Sequence, residues 1–473
     1  MKKINLIIIT FALLVFTSSC KKFVEGYDKD PNGLRETNAE QAMQGVLLQN
    51  QFFNHSDGLR LAMMMMNQAT GTDRQYVAFN DWNNIANKQM NSPWSEVYSV
   101  LSEALVLEKE ADKIGNQPVK GLAELYRAWA GGMAASLWGD VPFSEAGNYD
   151  VNKTPKYDSQ ADVFNQVQSL LDQAIVDLQG SVGNIYNEKD IYFEGDVSKW
   201  VKIAHGLKAR FYLNAKDYAN AKAEAAMGPA SADDDMIAPY DVYPGSYGKY
   251  NPMFQFDVYN REGYIGVGDP ECYSVTLMQA RDNNDETSRL YFNYIPDAGI
   301  LNSYPGYWWL GHDGKYSGPQ ALLTYGEMQL IQIEAEARLN GVSAALPLYN
   351  DYRNMLQAGY APQLGTFDWG ATYPPFAIAD FQNGGSQNPD NISELDAFLR
   401  EIMEERYLYF IGDLEAFVDH ARANGEPYAN YMQLKSGFNG NPVRFIYPQS
   451  EVDANPNVPK PVPTVNDPLP MYN

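Results

Sequence analysis

The stretch from Lys120 to Ala146, KGLAELYRAWAGGMAASLWGDVPFSEA, constrains the fold more than any other part of the chain. Leu122, Leu125, Trp129 and Met133 recur at spacings of three and four, which sets them on one face of a helix. Gly131, Gly132, Ala134 and Ala135 are small enough to let a neighbouring backbone come close. The helix should stop near Trp138, because Gly139 is a good terminator and Pro142 cannot continue it. Residues Gly139 to Ala146 then make a compact turn that holds an acid, a proline of fixed φ and an aromatic.

Similar stripes recur on either side. Asn38 to about Phe53 carries Met43, Val46, Leu47 and Asn50 at helical spacing, and Trp94 and Tyr98 open a helix running to about Ile114. Phe164, Val167, Leu171, Ala174 and Leu178 form a clean stripe after Tyr157. Asp196 or Ser198 can cap a helix with Trp200, Ile203, Leu207 and Phe211, and Asp217 to Ala226 reads as its short partner. Helices resume with Leu330, Ile333 and Ala337, then Ala345 to Ala358, a long helix from about Ser393, and Leu414 to Arg422. Paired helices with Trp, Tyr, Ala and Gly at close-packing points resemble tetratricopeptide hairpins. The expected fold is mainly α: tetratricopeptide-like hairpins forming a superhelical scaffold, over about 38–226 and 320–422.

Between 227 and 319 the stripes vanish while Gly, Pro, Asn and Tyr rise, so this segment reads as a loop-rich insertion with short strands around Tyr273 to Leu277. Long ordered loops on a helical scaffold are where binding residues concentrate. The tail, 441–473, is rich in Pro and reads as extended.

The N-terminus is of another kind. Lys2 and Lys3 precede an apolar run from Ile4 to Phe16, too short to span a bilayer but right for a signal peptide. Thr17-Ser18-Ser19-Cys20 follows at once and resembles a bacterial lipobox. The expectation is a signal peptide over 1–19, lipidation at Cys20 and a tether over 20–37, followed by one domain to the end of the chain. Asp28-Lys29-Asp30-Pro31-Asn32-Gly33 opens like a calcium loop, but its twelfth position is Ala39 and Pro31 stiffens it. It reads as a turn, and no metal is expected there.

With 473 residues, 45% hydrophobic and 20% charged, the chain can bury a large core. A formal net charge of −24 repels phosphate backbones, which excludes nucleic acid as a partner. Tyrosine is in excess, 33 against 21 Phe and 8 Trp, which suits a surface that binds polar molecules with apolar faces, such as sugars.

The helix ending in Trp138-Gly139-Asp140-Val141-Pro142-Phe143-Ser144-Glu145-Ala146 resembles the SusD/RagB family of outer-membrane nutrient-binding lipoproteins. Other blocks resemble it in the same order: Trp94 with Tyr98, Lys199-Trp200 to Arg210, Tyr325-x-Glu327 with Glu334-Ala335-Glu336-Ala337, and Pro442-x-Arg444-x-x-Tyr447-Pro448 with Glu451. The Phe410-Ile411-Gly412-Asp413 segment departs from the family's usual pattern. The resemblance implies four tetratricopeptide-like hairpins and a lipid anchor on the outer leaflet of the outer membrane. It also implies a partner, a SusC-like TonB-dependent transporter, over which the protein acts as a lid that captures an oligosaccharide or peptide.

Catalytic machinery is not legible. No GxSxG elbow is present, and His55, His205, His312 and His420 are scattered without i, i+4 partners, so neither a zinc site nor a cofactor is expected. Asp140 and Glu145 on one short turn read as structural, although two carboxylates across a sugar would be a glycosidase's machinery. Glu327, Glu334 and Glu336, with Arg338, read as ion pairs between hairpins, and Asp233-Asp234-Asp235 as a solvated run. The ligand-binding candidates are Tyr76, Trp82, Tyr307, Trp308 and Trp309 for stacking, with Asn83, Asn84 and Asp313 as polar partners. The leading reading is therefore a non-enzymatic capture protein. The alternatives are a surface hydrolase of the glycosidase class and a protein-binding scaffold with no small ligand.

Overall fold

The computed structural model describes residues 37–147, 152–240, 249–261, 263–266, 272–281, 284–297, 300–305, 319–362, 365–366, 372–428 and 442–473. The expected signal peptide and Cys20 lie outside the described residues, as does the expected tether up to residue 36.

The Lys120–Ala146 stretch sits at the centre. Its helix, here α5 (Gln117–Trp138), is capped by Asn116, whose side chain accepts from the Val119 N–H at 3.3 Å. It ends where Gly139 turns to φ 86°. From Gly121 to Trp138 every residue except Arg127 is buried, so this is a helix wrapped on all sides rather than on one apolar face. The glycines are used for close approach. A Cβ on Gly131 would lie 2.4 Å from the Phe143 ring of the following turn, and one on Gly132 would lie 2.3 Å from Phe211.

Consecutive helices pack in series around it. α1 (Ala39–His55) lies on α4 (Asn91–Ile114), α4 on α5, and α5 on α6 (Gln160–Leu178). The series runs on through α7 (Val197–Asn214) and α8 (Tyr218–Ala225) to α11 (Tyr325–Asn340), which packs on α12 (Val342–Gln357) and α13 (Glu394–Tyr409). α14 (Glu415–Ala423) packs on α13 and α7. Two-residue breaks such as Gly115-Asn116 force neighbouring helices to run back on each other, which makes hairpins. The expected mainly α, tetratricopeptide-like architecture is what the structure has.

Two helices between α1 and α4 escaped the sequence reading: α2 (Asp57–Met65) and α3 (Arg74–Phe79). Within the insertion, Tyr273 to Ala280 is a helix, α9, and not a strand; Val275, Leu277 and Met278 are buried along it. α10 (Thr287–Asn293) follows. The insertion leaves and rejoins the scaffold at one antiparallel ribbon, in which Met236 pairs with Leu323 and Ala238 with Gln320.

The Asp140 turn is structural. Asp140 Oδ1 accepts from the Gln160 N–H at 2.8 Å, fixing the start of α6. The tail then closes the end of α5: the Phe445 N–H donates to the Leu137 carbonyl at 2.8 Å, and Trp138 Nε1 donates to the Ile446 carbonyl at 3.0 Å. Arg444 donates to the Trp138 carbonyl. The Leu137 and Trp138 carbonyls are ones that a helix C-terminus leaves unpaired, and Arg444 adds a cation where the helix dipole is negative. Further on, the Met471 N–H donates to Gln160 and the Tyr472 hydroxyl to the Asn214 carbonyl.

Ion pairs, most of them buried, tie α7 and α8 to α11 and hold α11, α13 and α14 together. Arg210 of α7 donates Nε to Glu327 at 2.7 Å and Nη2 to both Glu327 at 2.6 Å and the Leu322 carbonyl at 2.8 Å. Arg422 grips Glu334 with both terminal nitrogens, at 2.6 and 2.8 Å, and Arg406 pairs with Asp419 at 2.7 Å. Lys222 pairs with Glu336. The Asp233–Asp235 run is not solvated as expected: Asp234 is buried against Lys202, and Asp235 is buried against α11.

Removing one partner of a buried pair leaves the other charge uncompensated. Arg210→Leu strips the cation from Glu327 and should lower stability by about 3–5 kcal/mol, read from denaturant unfolding. A second expectation concerns pH. Asp235 accepts from the Tyr325 N–H at 2.6 Å and the Tyr360 hydroxyl at 2.9 Å, yet burial outweighs both and pushes its carboxyl up to about 7. An unfolded aspartate ionises near ~4, so between there and about 7 the unfolded state releases a proton that the native state keeps. Stability held through this group falls as pH rises across that window. Asp235→Asn keeps an acceptor that cannot ionise. Urea unfolding at about pH 5 and about pH 7.5 should therefore show the variant gaining on the native chain at the higher pH.

Candidate functional site

The site forms where the chain after α2 meets the insertion. Thr70 pairs with Gly266 and Gly71 with Ile265 in a short antiparallel ribbon. The Thr72 N–H donates to the Tyr264 carbonyl at 2.9 Å, and the Thr72 hydroxyl to the Gly263 carbonyl at 2.6 Å. Asn80 closes the loop by exchanging two hydrogen bonds with Gly71, at 2.7 and 2.8 Å. Gly71 itself is required: a Cβ there would stand 1.8 Å from the Tyr76 carbonyl oxygen.

This hook presents Tyr76, half-buried, edge-on to Phe79 at 5.5 Å, Phe256 at 5.3 Å and Tyr264 at 6.1 Å. The Arg60 guanidinium lies 4.1 Å from the centre of the Phe256 ring and pairs with Asp57 one turn earlier. Arg74 and Arg261 reach the Tyr264 ring at 5.6 and 5.8 Å. Beside Tyr76 a cleft of about 210 Å³ opens between Asp57, Arg60, Gln75, Lys88, Gln89 and Ser92. Behind it, burial raises the Glu96 carboxyl to about 7 against a hydrogen bond from Ser56. Half-open aromatics, amides and guanidiniums round a cleft can stack on a ring and bond to its hydroxyls.

A second cavity, among Thr324, Tyr360, Tyr409 and Asp413, has about 50 Å³, room for water but not for a sugar ring. Among the described residues no group of three or more His, Cys, Asp or Glu is placed to hold a metal ion.

Of the candidates read from sequence, Tyr76 is in this cluster. Trp82 is not open to a ligand: it is 2% exposed, and its indole N–H donates to the Met64 carbonyl at 3.3 Å. The polar residues around it suggested a surface loop, but the ring itself fills the core beneath α2. Asn84 is exposed and ties its own turn by donating to the Ala78 carbonyl at 3.1 Å, while the side chain of Asn83 lies outside the described residues. Tyr307, Trp308, Trp309 and Asp313 also lie outside the described residues. Arg60, Arg74, Phe256 and Arg261 were missed. Tyr264 was visible only as one of many insertion tyrosines.

A family model described as "Starch-binding associating with outer membrane", SusD-like, matches residues 31–448. The chain belongs to the SusD-like family. Solved structures agree on the fold. A SusD/RagB family protein from Bacteroides thetaiotaomicron superposes with a TM-score of 0.65 at 22% identity, covering 89% of this chain and 95% of that one. A chitin-binding protein gives 0.62 at 19%, covering 88% and 94%. A SusD homologue from Bacteroides fragilis gives 0.60 at 19%, covering 89% and 94%. No curated protein matches the chain. The SusD-like match makes this a member of an outer-membrane-associated, starch-binding family.

The hook stands on the tight approach at Gly71. Gly71→Ala should raise hydrogen exchange across residues 70–80, while the amides of α4 to α6 stay protected.

Proposed function

We propose that this SusD-like protein captures an oligomeric glycan at the cell surface and passes it to a SusC-like TonB-dependent transporter, held to the outer membrane by a lipid on Cys20. The observation that carries the glycan reading is the cluster of Tyr76 and Tyr264 beside the Arg60 cleft, an aromatic edge with polar groups within reach. The starch-binding description of the family and the chitin-binding name of one structural relative support it. The anchor rests on the apolar run leading into Thr17-Ser18-Ser19-Cys20, and the transporter on the family resemblance. Tyr307, Trp308, Trp309 and Asp313 stay in the proposal on sequence grounds.

Binding fits the cleft better than hydrolysis. Glycoside hydrolysis needs two carboxyl groups flanking the scissile bond. Asp57 is the one carboxylate among the described residues lining this cleft, and it is paired with Arg60.

The test is affinity for glycans displayed on an array and then measured in solution. Tyr76→Ala with Tyr264→Ala should weaken binding of the cognate glycan by at least about tenfold, with the helical circular-dichroism signal kept. Native affinity in that double variant would move the site away from the hook.

A further inference from the structure

Resting on the glycan reading above, we propose that the hook is selective for acidic glycans, with Arg74 and Arg261 pairing with a carboxylate or sulfate on the sugar beside Tyr264. Two elements far apart in sequence each bring an exposed arginine to one tyrosine ring, at 5.6 and 5.8 Å. Arg74 is held there at φ 49°, in a left-handed conformation that side-chain-bearing residues seldom adopt, with its N–H donating to Asp73 at 2.8 Å. Arg60 and Lys88 line the adjoining cleft.

The charge balance is what distinguishes this place from the rest of the surface. The chain has 35 Lys and Arg against 59 Asp and Glu. Here four cations gather. Asp57 contacts Arg60 and Asp73 lies 3.6 Å from Arg74, whereas Arg261 and Lys88 have no salt-bridged carboxylate among the described residues. A local cationic cleft on an acidic protein attracts an anion that the surrounding surface repels. Guanidinium is also the side chain whose planar fork matches carboxylate and sulfate in a two-point contact. The half-buried Tyr264 ring lies within 5.6 and 5.8 Å of the two guanidiniums, so a sugar carrying that group could touch the ring and the arginines together.

The experiment is calorimetric titration of the purified protein with matched probes: oligogalacturonate for carboxylate, chondroitin sulfate and heparin fragments for sulfate, laminarin and maltooligosaccharide as neutral glycans, and polyglutamate as an acidic peptide. The proposal expects an acidic glycan to bind most tightly, with affinity falling at least about fivefold between low and physiological salt. The uronate and sulfate arms separate the two anions. Arg74→Gln with Arg261→Gln, both at exposed positions, should weaken that binding at least about tenfold at unchanged melting temperature. Tight binding of a neutral glycan that is indifferent to salt and to the arginine variant overturns the acidic selectivity but leaves the glycan reading standing. Binding of polyglutamate alone, or of no probe, overturns both.

Discussion

The Arg210 guanidinium is the contact on which the rest of the arrangement depends. It lies in α7, grips Glu327 at the start of α11 and also holds the Leu322 carbonyl, one residue from the end of the ribbon through which the insertion rejoins the scaffold. One planar group thus fixes two halves of a helical solenoid and the return point of some eighty residues between them. Burying it is costly, and Glu327 with the carbonyl offsets that by accepting three of its hydrogen bonds. Glu415 also lies 3.6 Å from Arg210, and burial pushes its carboxyl up.

How much of this could be read beforehand follows from what sequence encodes locally. Helical period is local, so the stripes in α4, α6, α7 and α13 were legible, as were caps such as Asp196. Where burial is complete the period disappears. Met63 to Met66 are all buried, which hid α2, and α5 read as one-sided although it is surrounded. Tyr273 to Leu277 looked like a strand by composition, but tertiary packing of Val275 and Met278 holds it as a helix.

The site was legible only in fragments. Thr72 and Gly263 are 191 residues apart, so nothing local tells Arg74 that its neighbour will be Tyr264. Trp82 misled for the opposite reason. Its polar flanks describe the turn, whereas the ring is aimed inward, where the Met64 carbonyl satisfies its N–H. Tyr76 was a choice by composition and place, and the fold sets it against Phe256 and Tyr264.

The clasp between the tail and α5 has a consequence for the order in which the protein is made. A chain emerges N-terminus first, so the central helix exists long before residues 442–447 arrive to cover its last carbonyls. Until then the Trp138 indole N–H and the Leu137 carbonyl lack the partners they have in the finished fold. Completion of the oldest part of the structure waits on the youngest. A chain of this design therefore stays unfinished at its centre until residues 442–447 have been made and have folded back onto α5.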